Sequence, residues 1–208
     1  SWDYAAGQDA GEGFRDGLRA GGAELIRVLT LPFPETNFQP ILAHIPGLGV
    51  YLYRAFFAGG GAVPFVRDHA PAGRTDRVPL VGSGFLTEGT LAAQGAAAEG
   101  VRTGLHYGDG LDNPRNTAFR AAFRDKTKRE ADVYAVQGYD AAQMYEAGLK
   151  AAGGDPAKQE ELIKGMASAT IDSPRGPFTL SKAHNPVQDI YMREVKGNEN
   201  VVVQLVSK

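Results

Sequence analysis

The residues that most often carry catalysis or bind metal are dispersed in this chain. His44, His69, His106 and His184 fall in four separate segments, and none has a second histidine or a carboxylate at metal-ligand spacing. His69 follows Asp68, but adjacent positions on a helix point apart. Gly82-Ser83-Gly84 lacks the Gly-x-Ser-x-Gly spacing of a nucleophile elbow. The carboxylates form no close pair, and the absence of cysteine removes thiolate ligands, disulfides and a cysteine nucleophile. No residue is assigned to catalysis or to a metal, no cofactor is implied, and the expectation is a protein that is not an enzyme.

Binding chemistry is better represented. Ala58-Gly59-Gly60-Gly61 follows an apolar run and precedes a helical pattern, where backbone N–H groups can hold an anion. The Lys and Ser/Thr of a phosphate loop are missing, so the choice is between a tight turn and a cradle for a carboxylate. Trp2, Tyr4, Phe56, Phe57 and Phe85 all fall near expected loops at the carboxyl edge of a sheet. Aromatic walls with a few aimed donors suit a small-molecule site. Of Phe56 and Phe57, alternation puts one in the core, and Phe57, nearer the glycines, is expected to be the outer ring.

Among the 208 residues, 22 Lys and Arg face 24 Asp and Glu, for a net charge of −2. No basic stripe speaks for nucleic acid. No apolar run reaches the roughly 18 residues of a membrane span, so direct insertion is not expected. The chain begins with Ser1, and the expectation is that an upstream part was removed or that this is a piece of a longer chain.

The elements that would position these residues alternate. Helix patterns are expected at 5–20, 38–45 (with Asn37 as cap), 62–70 and 87–93, and strands at 23–30, 50–57, 78–81 and 100–106. That order predicts an α/β fold with a parallel sheet covered by helices. After the turn-rich stretch 108–114 come three helices (113–128, 139–152, 156–169), then strands at 178–180, 187–195 and 201–206, with Gly197-Asn198 turning the last pair.

Several stretches, in order, are similar to one family. Trp2-Asp3-Tyr4-Ala5-Ala6-Gly7, Thr36-Asn37-Phe38-Gln39-Pro40, Phe56-Phe57-Ala58-Gly59-Gly60, Pro79-Leu80-Val81-Gly82-Ser83-Gly84-Phe85-Leu86-Thr87 and Ala98-Glu99-Gly100-Val101 belong to the set. So do Tyr134-Ala135-Val136-Gln137-Gly138-Tyr139-Asp140-Ala141 and Ser173-Pro174-Arg175-Gly176-Pro177-Phe178. Together they resemble type I periplasmic solute-binding proteins of ABC importers, the branched-chain amino acid-binding family. Phe-Phe-Ala-Gly-Gly with Gly-Ser-Gly-Phe-Leu resembles members that serve aromatic carboxylates.

The resemblance implies doubly wound parallel sheets in two lobes joined by a hinge, of which this chain holds part. Residues 1–107 map to the second lobe, 108–186 to a helical part of the first, and 187–208 to strands returning to the second. The segment that would precede Trp2, including a strand of the second lobe, is expected to be missing. Without it, the helix faces bearing Phe119, Phe123, Met144, Tyr145, Leu149, Leu162, Ile163 and Met166 are expected to lack cover, and the chain alone to bind ligand weakly or not at all.

The resemblance also implies ligand contacts from Tyr4, Phe57, Ala58, Gly59, Gly84, Phe85 and, from the other lobe, Gln137. Amino-acid binders carry an acid for the ligand ammonium in the loop that here reads Gly84-Phe85, so an aromatic acid is expected over leucine. The implied function is periplasmic capture of a small carboxylate and its delivery to a membrane permease by lobe closure. The alternatives are a ligand-sensing regulator or receptor domain of the same fold, and a branched-chain amino acid binder.

Overall fold

Alanines and apolar residues four apart, from Ala6 through Ala10 and Phe14 to Leu18, coil the first long element, α1 (Ala5–Ala20). Gly21 and Gly22 end it, the Gly22 N–H reaching back to the Arg19 carbonyl. The computed structural model describes residues 1–44, 51–70 and 78–207. They divide into unit 1, Ser1–Gly104 with Glu194–Asn200, and unit 2, Leu105–Arg193 with Val201–Lys208. The chain thus changes unit after Gly104, Arg193 and Asn200. The expected return stretch 187–208 is therefore divided, and only 194–200 rejoins unit 1.

Unit 1 is built on three parallel strands, β3 (Tyr53–Ala55), β4 (Leu80–Ser83) and β5 (Arg102–Leu105), with Tyr53 opposite Leu80 and Val81 opposite Arg102. A separate parallel pair joins β1 (Trp2–Asp3) to β2 (Leu31–Pro32). Around them lie α2 (Gln39–His44), α3 (Ala62–His69) and α4 (Leu91–Gln94). Pro40 sits in the first turn of α2, where a missing N–H costs little. The core is aromatic: the Phe57 ring lies 5.3 Å from Trp2, 4.8 Å from Phe38 and 4.7 Å from Phe65.

The strand expected at 23–30 does not form. Only Leu31–Pro32 pairs, and residues 24–28 make no backbone hydrogen bond among the described residues. A strand needs a neighbour for its N–H and C=O groups, and β-rich composition does not supply one. The expected strand 50–57 shortens to β3, Val50 lying outside the described residues. The expected helix 38–45 is α2, with Ile45 likewise outside them. The helix expected at 87–93 shortens to α4, with a turn at 87–90 and a 3-10 turn, Gly84–Leu86, before it.

In unit 2, Asn113 caps α5 (Pro114–Thr127) by accepting from the Asn116 N–H at 2.7 Å. α6 (Val133–Ala151) starts six residues before the expected 139, because Asp132 accepts from the Ala135 N–H at 2.9 Å and supplies a cap there. α7 (Gln159–Ala167) packs closely on α6. A Cβ at Gly148 would meet Met166 Cγ at 2.7 Å and the Leu162 carbonyl at 2.8 Å, so only glycine allows that approach. Leu162 and Met166 thus find cover in α6, and Phe119 lies in a core with Leu105, Tyr107, Val133 and Val136. Tyr145 and Ile163 stay exposed.

The remaining strands are β6 (Thr179–Leu180) and β7 (Pro186–Val187), which pair antiparallel, and β8 (Ile190–Lys196) and β9 (Glu199–Ser207), which pair across Gly197-Asn198. Val187 belongs to β7, so the single strand expected at 187–195 is two.

Candidate functional site

Tyr4 is the extended residue that caps α1, and its carbonyl receives the N–H groups of Gly7 and Gln8. Its half-buried ring stacks on Phe33 at 5.5 Å and meets Trp2 edge-on at 6.3 Å. The α1 cap therefore fixes an aromatic face at a helix start. Ala58 is extended and half-buried, and Gly59 opens a 3-10 turn, Gly59–Gly61, that leads into α3. Gly61 lies beneath Trp2: a Cβ there would sit 2.2 Å from Trp2 Cζ2. The turn is thus tied to the β1 tryptophan by close packing, with Gly59 left exposed at its tip.

Phe57 is not the outer ring. Ala55 and Phe57 are buried while Phe56 between them is half-exposed and lies beside the Arg54 guanidinium at 5.7 Å. The two-residue alternation of β3 simply runs on past its end, and the expectation that proximity to glycine turns Phe57 outward is corrected. Phe57 supports this loop from within the core.

Gly84 is buried and Phe85 half-buried in the 3-10 turn after β4. The Gly84 carbonyl accepts from the N–H groups of Thr87 and Glu88. Thr87 donates its hydroxyl to Asn200 Oδ1 at 2.7 Å, which ties this turn to β9 within unit 1. Two residues here carry polar chemistry: Ser83, which the sequence reading considered only as a nucleophile, and Glu88, which it did not consider. The Ser83 hydroxyl is buried with no hydrogen-bond partner among the described residues. Glu88, only four residues past Gly84, is buried as well. An acid therefore follows closely on the turn whose Gly84-Phe85 pair suggested that none would; the signal was Glu88, the residue immediately after the quoted motif.

In unit 2, Gln137 lies within the first turns of α6 and not before it, a consequence of the Asp132 cap. Its Nε2 is 3.4 Å from His106 Nε2. Burial, with the charges of Arg175 and Arg193, pushes the His106 imidazole down to about 4, so it is neutral at pH 7. The potential at His106 is positive. Three residues on from Gln137, buried Asp140 accepts from Ser173 Oγ and Arg175 Nε, each at 2.9 Å. Arg175 also donates to Gln188 and covers the Phe178 ring at 3.9 Å. Arg193, fully buried, donates to the Tyr107 carbonyl at 3.1 Å. Desolvation pulls the Asp140 carboxyl above its ordinary range despite these bonds. Periodicity could not reveal this group, because Asp140, Arg175 and Arg193 are far apart in the chain.

Tyr4, Ala58, Gly59, Gly84 and Phe85 are thus all in unit 1 and Gln137 in unit 2. Unit 1 offers rings and small-residue turns, and unit 2 offers an amide beside a positive potential. Among the described residues no group of three or more His, Asp or Glu is placed to hold a metal, and no helix is long and apolar enough to cross a membrane.

Residues 1–200 match the family model described as periplasmic binding protein. A solute-binding protein of an ABC transporter from R. palustris, solved in complex with benzoate, is 47% identical and superposes with a TM-score of 0.92, covering 100% of this chain and 58% of that one. A second R. palustris solute-binding protein, in complex with 4-hydroxybenzoate, is 26% identical with a TM-score of 0.92, covering 100% of this chain and 59% of that one. A Leu/Ile/Val-binding protein homolog of Brucella melitensis is 31% identical over 201 residues, which span 93% of this chain and 51% of the relative. The chain therefore corresponds to little more than half of these proteins.

Proposed function

Because the chain belongs to the periplasmic binding protein family, we propose that it is part of the extracytoplasmic solute-binding component of an ABC importer, with a small aromatic carboxylate as ligand. One observation carries the ligand class: the benzoate-bound relative shares 47% of residues along the whole chain, against 31% for the Leu/Ile/Val-binding homolog. The residues fit that reading. The Tyr4 ring and the glycine turns at 58–61 and 82–85 give a flat apolar ligand surface to pack on, worth about 0.5–1.5 kcal/mol per aromatic pair beyond the area buried. The positive potential at His106, beside the Gln137 amide, favours an anion.

In this role the protein holds its ligand without altering it, is exported, and hands the ligand to a membrane permease. Tyr4, Ala58, Gly59, Gly84, Phe85 and Gln137 are the proposed contacts, with Phe57 behind them. The second reading, a branched-chain amino acid, draws on the Brucella relative and on the presence of a buried acid, Glu88, shortly after Gly84-Phe85. Thermal-shift titration of the protein in its longer form separates the two. Benzoate is expected to raise Tm and leucine to leave it unchanged, with Glu88→Gln leaving the benzoate response intact. A leucine response abolished by Glu88→Gln reverses the choice.

A further inference from the structure

β1 and β2 run parallel and in register, Trp2 opposite Leu31 and Asp3 opposite Pro32. The residue that follows each strand is aromatic, Tyr4 after β1 and Phe33 after β2. Both therefore stand at the carboxyl ends of parallel strands, the end at which open α/β sheets take their ligands. The two rings are stacked, 5.5 Å apart with 29° between their planes. Tyr4 is half-buried, but Phe33 keeps 60% of its surface exposed.

A single exposed apolar side chain is ordinary on a protein surface. Phe33 differs in what holds it. Trp2 meets it edge-on at 5.1 Å and itself rests on the buried Phe57 ring at 5.3 Å. The Trp2 indole N–H donates to the Glu35 carbonyl at 2.8 Å, and the Glu35 N–H donates to the Pro32 carbonyl at 2.8 Å, closing the turn that carries Phe33. The Glu35 carboxylate accepts from the Thr36 and Asn37 N–H groups at 2.8 and 2.7 Å. The same indole packs over Gly61, so one tryptophan seats Phe33, Tyr4 and the glycine turn at 58–61 together.

We propose that Phe33 is a further ligand-contacting ring, which with Tyr4 selects an aromatic acid over an aliphatic acid of the same size. The proposal rests on the aromatic-carboxylate reading above and names a residue that sets it. The Phe33 side chain has no polar atom, so it offers nothing to the carboxylate; it offers a π face and an edge. An aromatic ligand gains from offset-stacked or edge-to-face contact with it, whereas a saturated ring gains only from the area buried. Because the turn already holds the ring, little side-chain freedom is lost when a ligand covers it.

The test is calorimetric titration of the protein in its longer form with benzoate and with cyclohexanecarboxylate, an anion of similar size without a π face. Phe33→Leu is expected to weaken benzoate by about two- to tenfold, the contribution of one aromatic pair, and to leave cyclohexanecarboxylate nearly unchanged. Phe33→Tyr, which keeps the ring, is expected to retain the affinity for benzoate. Should Phe33→Leu fail to fold, 4-fluorophenylalanine at position 33 gives a second readout in the otherwise unaltered protein. Its fluorine resonance is expected to move further with benzoate than with cyclohexanecarboxylate, through the ring current of the bound acid. Benzoate bound equally well by the wild-type protein and by Phe33→Leu overturns the proposal, as does a fluorine resonance that moves equally with both acids. Equal weakening of both acids also overturns it, since Phe33 would then only support Tyr4. No benzoate binding by the wild-type protein instead overturns the ligand reading, and this proposal with it.

Discussion

Unit 1 and unit 2 solve the problem of a small interior in opposite ways. Unit 1 packs rings: Trp2, Phe38, Phe57 and Phe65 interlock, the buried Thr87–Asn200 contact joins neutral groups, and Glu88 is the one buried ionisable carboxylate among its described residues. Unit 2 keeps ionised groups inside, with Asp140, Arg175 and Arg193 all buried. Apolar burial is non-directional and depends little on pH, whereas a buried ion pair depends on both partners and on the proton. The two units should therefore fail differently.

The largest effect is expected at the centre of unit 1. Phe57→Ala removes a ring that touches three others and should cost about 3–5 kcal/mol in denaturant unfolding followed by Trp2 fluorescence. A cost below about 1 kcal/mol would mean that the neighbouring rings close the gap, and would break the comparison.

In unit 2, Arg175→Leu leaves Asp140 buried without its cation and should cost about 3 kcal/mol. The same chain with Asp140→Leu added should recover most of that loss, since removing both charges is close to neutral. The sign with pH follows from the carboxyl itself. Its folded pKa is raised, so protonation favours the folded form, and the deficit of Arg175→Leu should grow as pH rises through that pKa and shrink toward acid. A deficit that does not change with pH would contradict a charged interior.

Much of this contrast was legible in the sequence, and the reason differs by element. α1 and α5 announced themselves through four-residue spacing and a local cap, both of which are short-range. The segment 23–30 failed because its strand identity rests on a neighbour that composition cannot report. α6 began early because a single capping bond at Asp132 outweighed the apolar pattern that suggested 139. At the site, the glycine turns were visible as motifs. The ion cluster was not, because Asp140 meets Arg175 across 35 positions of sequence. Phe57 turned inward because strand alternation, already in hand, runs past the last hydrogen-bonded residue.

A smaller effect separates the units by pH. His106 has its folded pKa lowered to about 4 from an ordinary 6.5, so between those values the unfolded chain takes up a proton that the native chain refuses. Stability from this group is present above pH 6.5 and lost as pH falls toward 4, with a slope of at most about 1.4 kcal/mol per pH unit. His106→Gln should flatten that part of the profile, measured as hydrogen exchange at the α6 amides. An unchanged slope would move the acid sensitivity elsewhere. Smallest of all, Asp132→Ala should cost about 1 kcal/mol and fray α6 toward Tyr139, read as faster exchange at Ala135.

The claim on which the functional account rests is the ligand class, and calorimetric titration of the protein in its longer form tests it directly. Benzoate is expected to give a saturable heat that Tyr4→Ala and Phe85→Ala each weaken, while leucine gives none. Saturable binding of leucine, with no heat from benzoate, would contradict it.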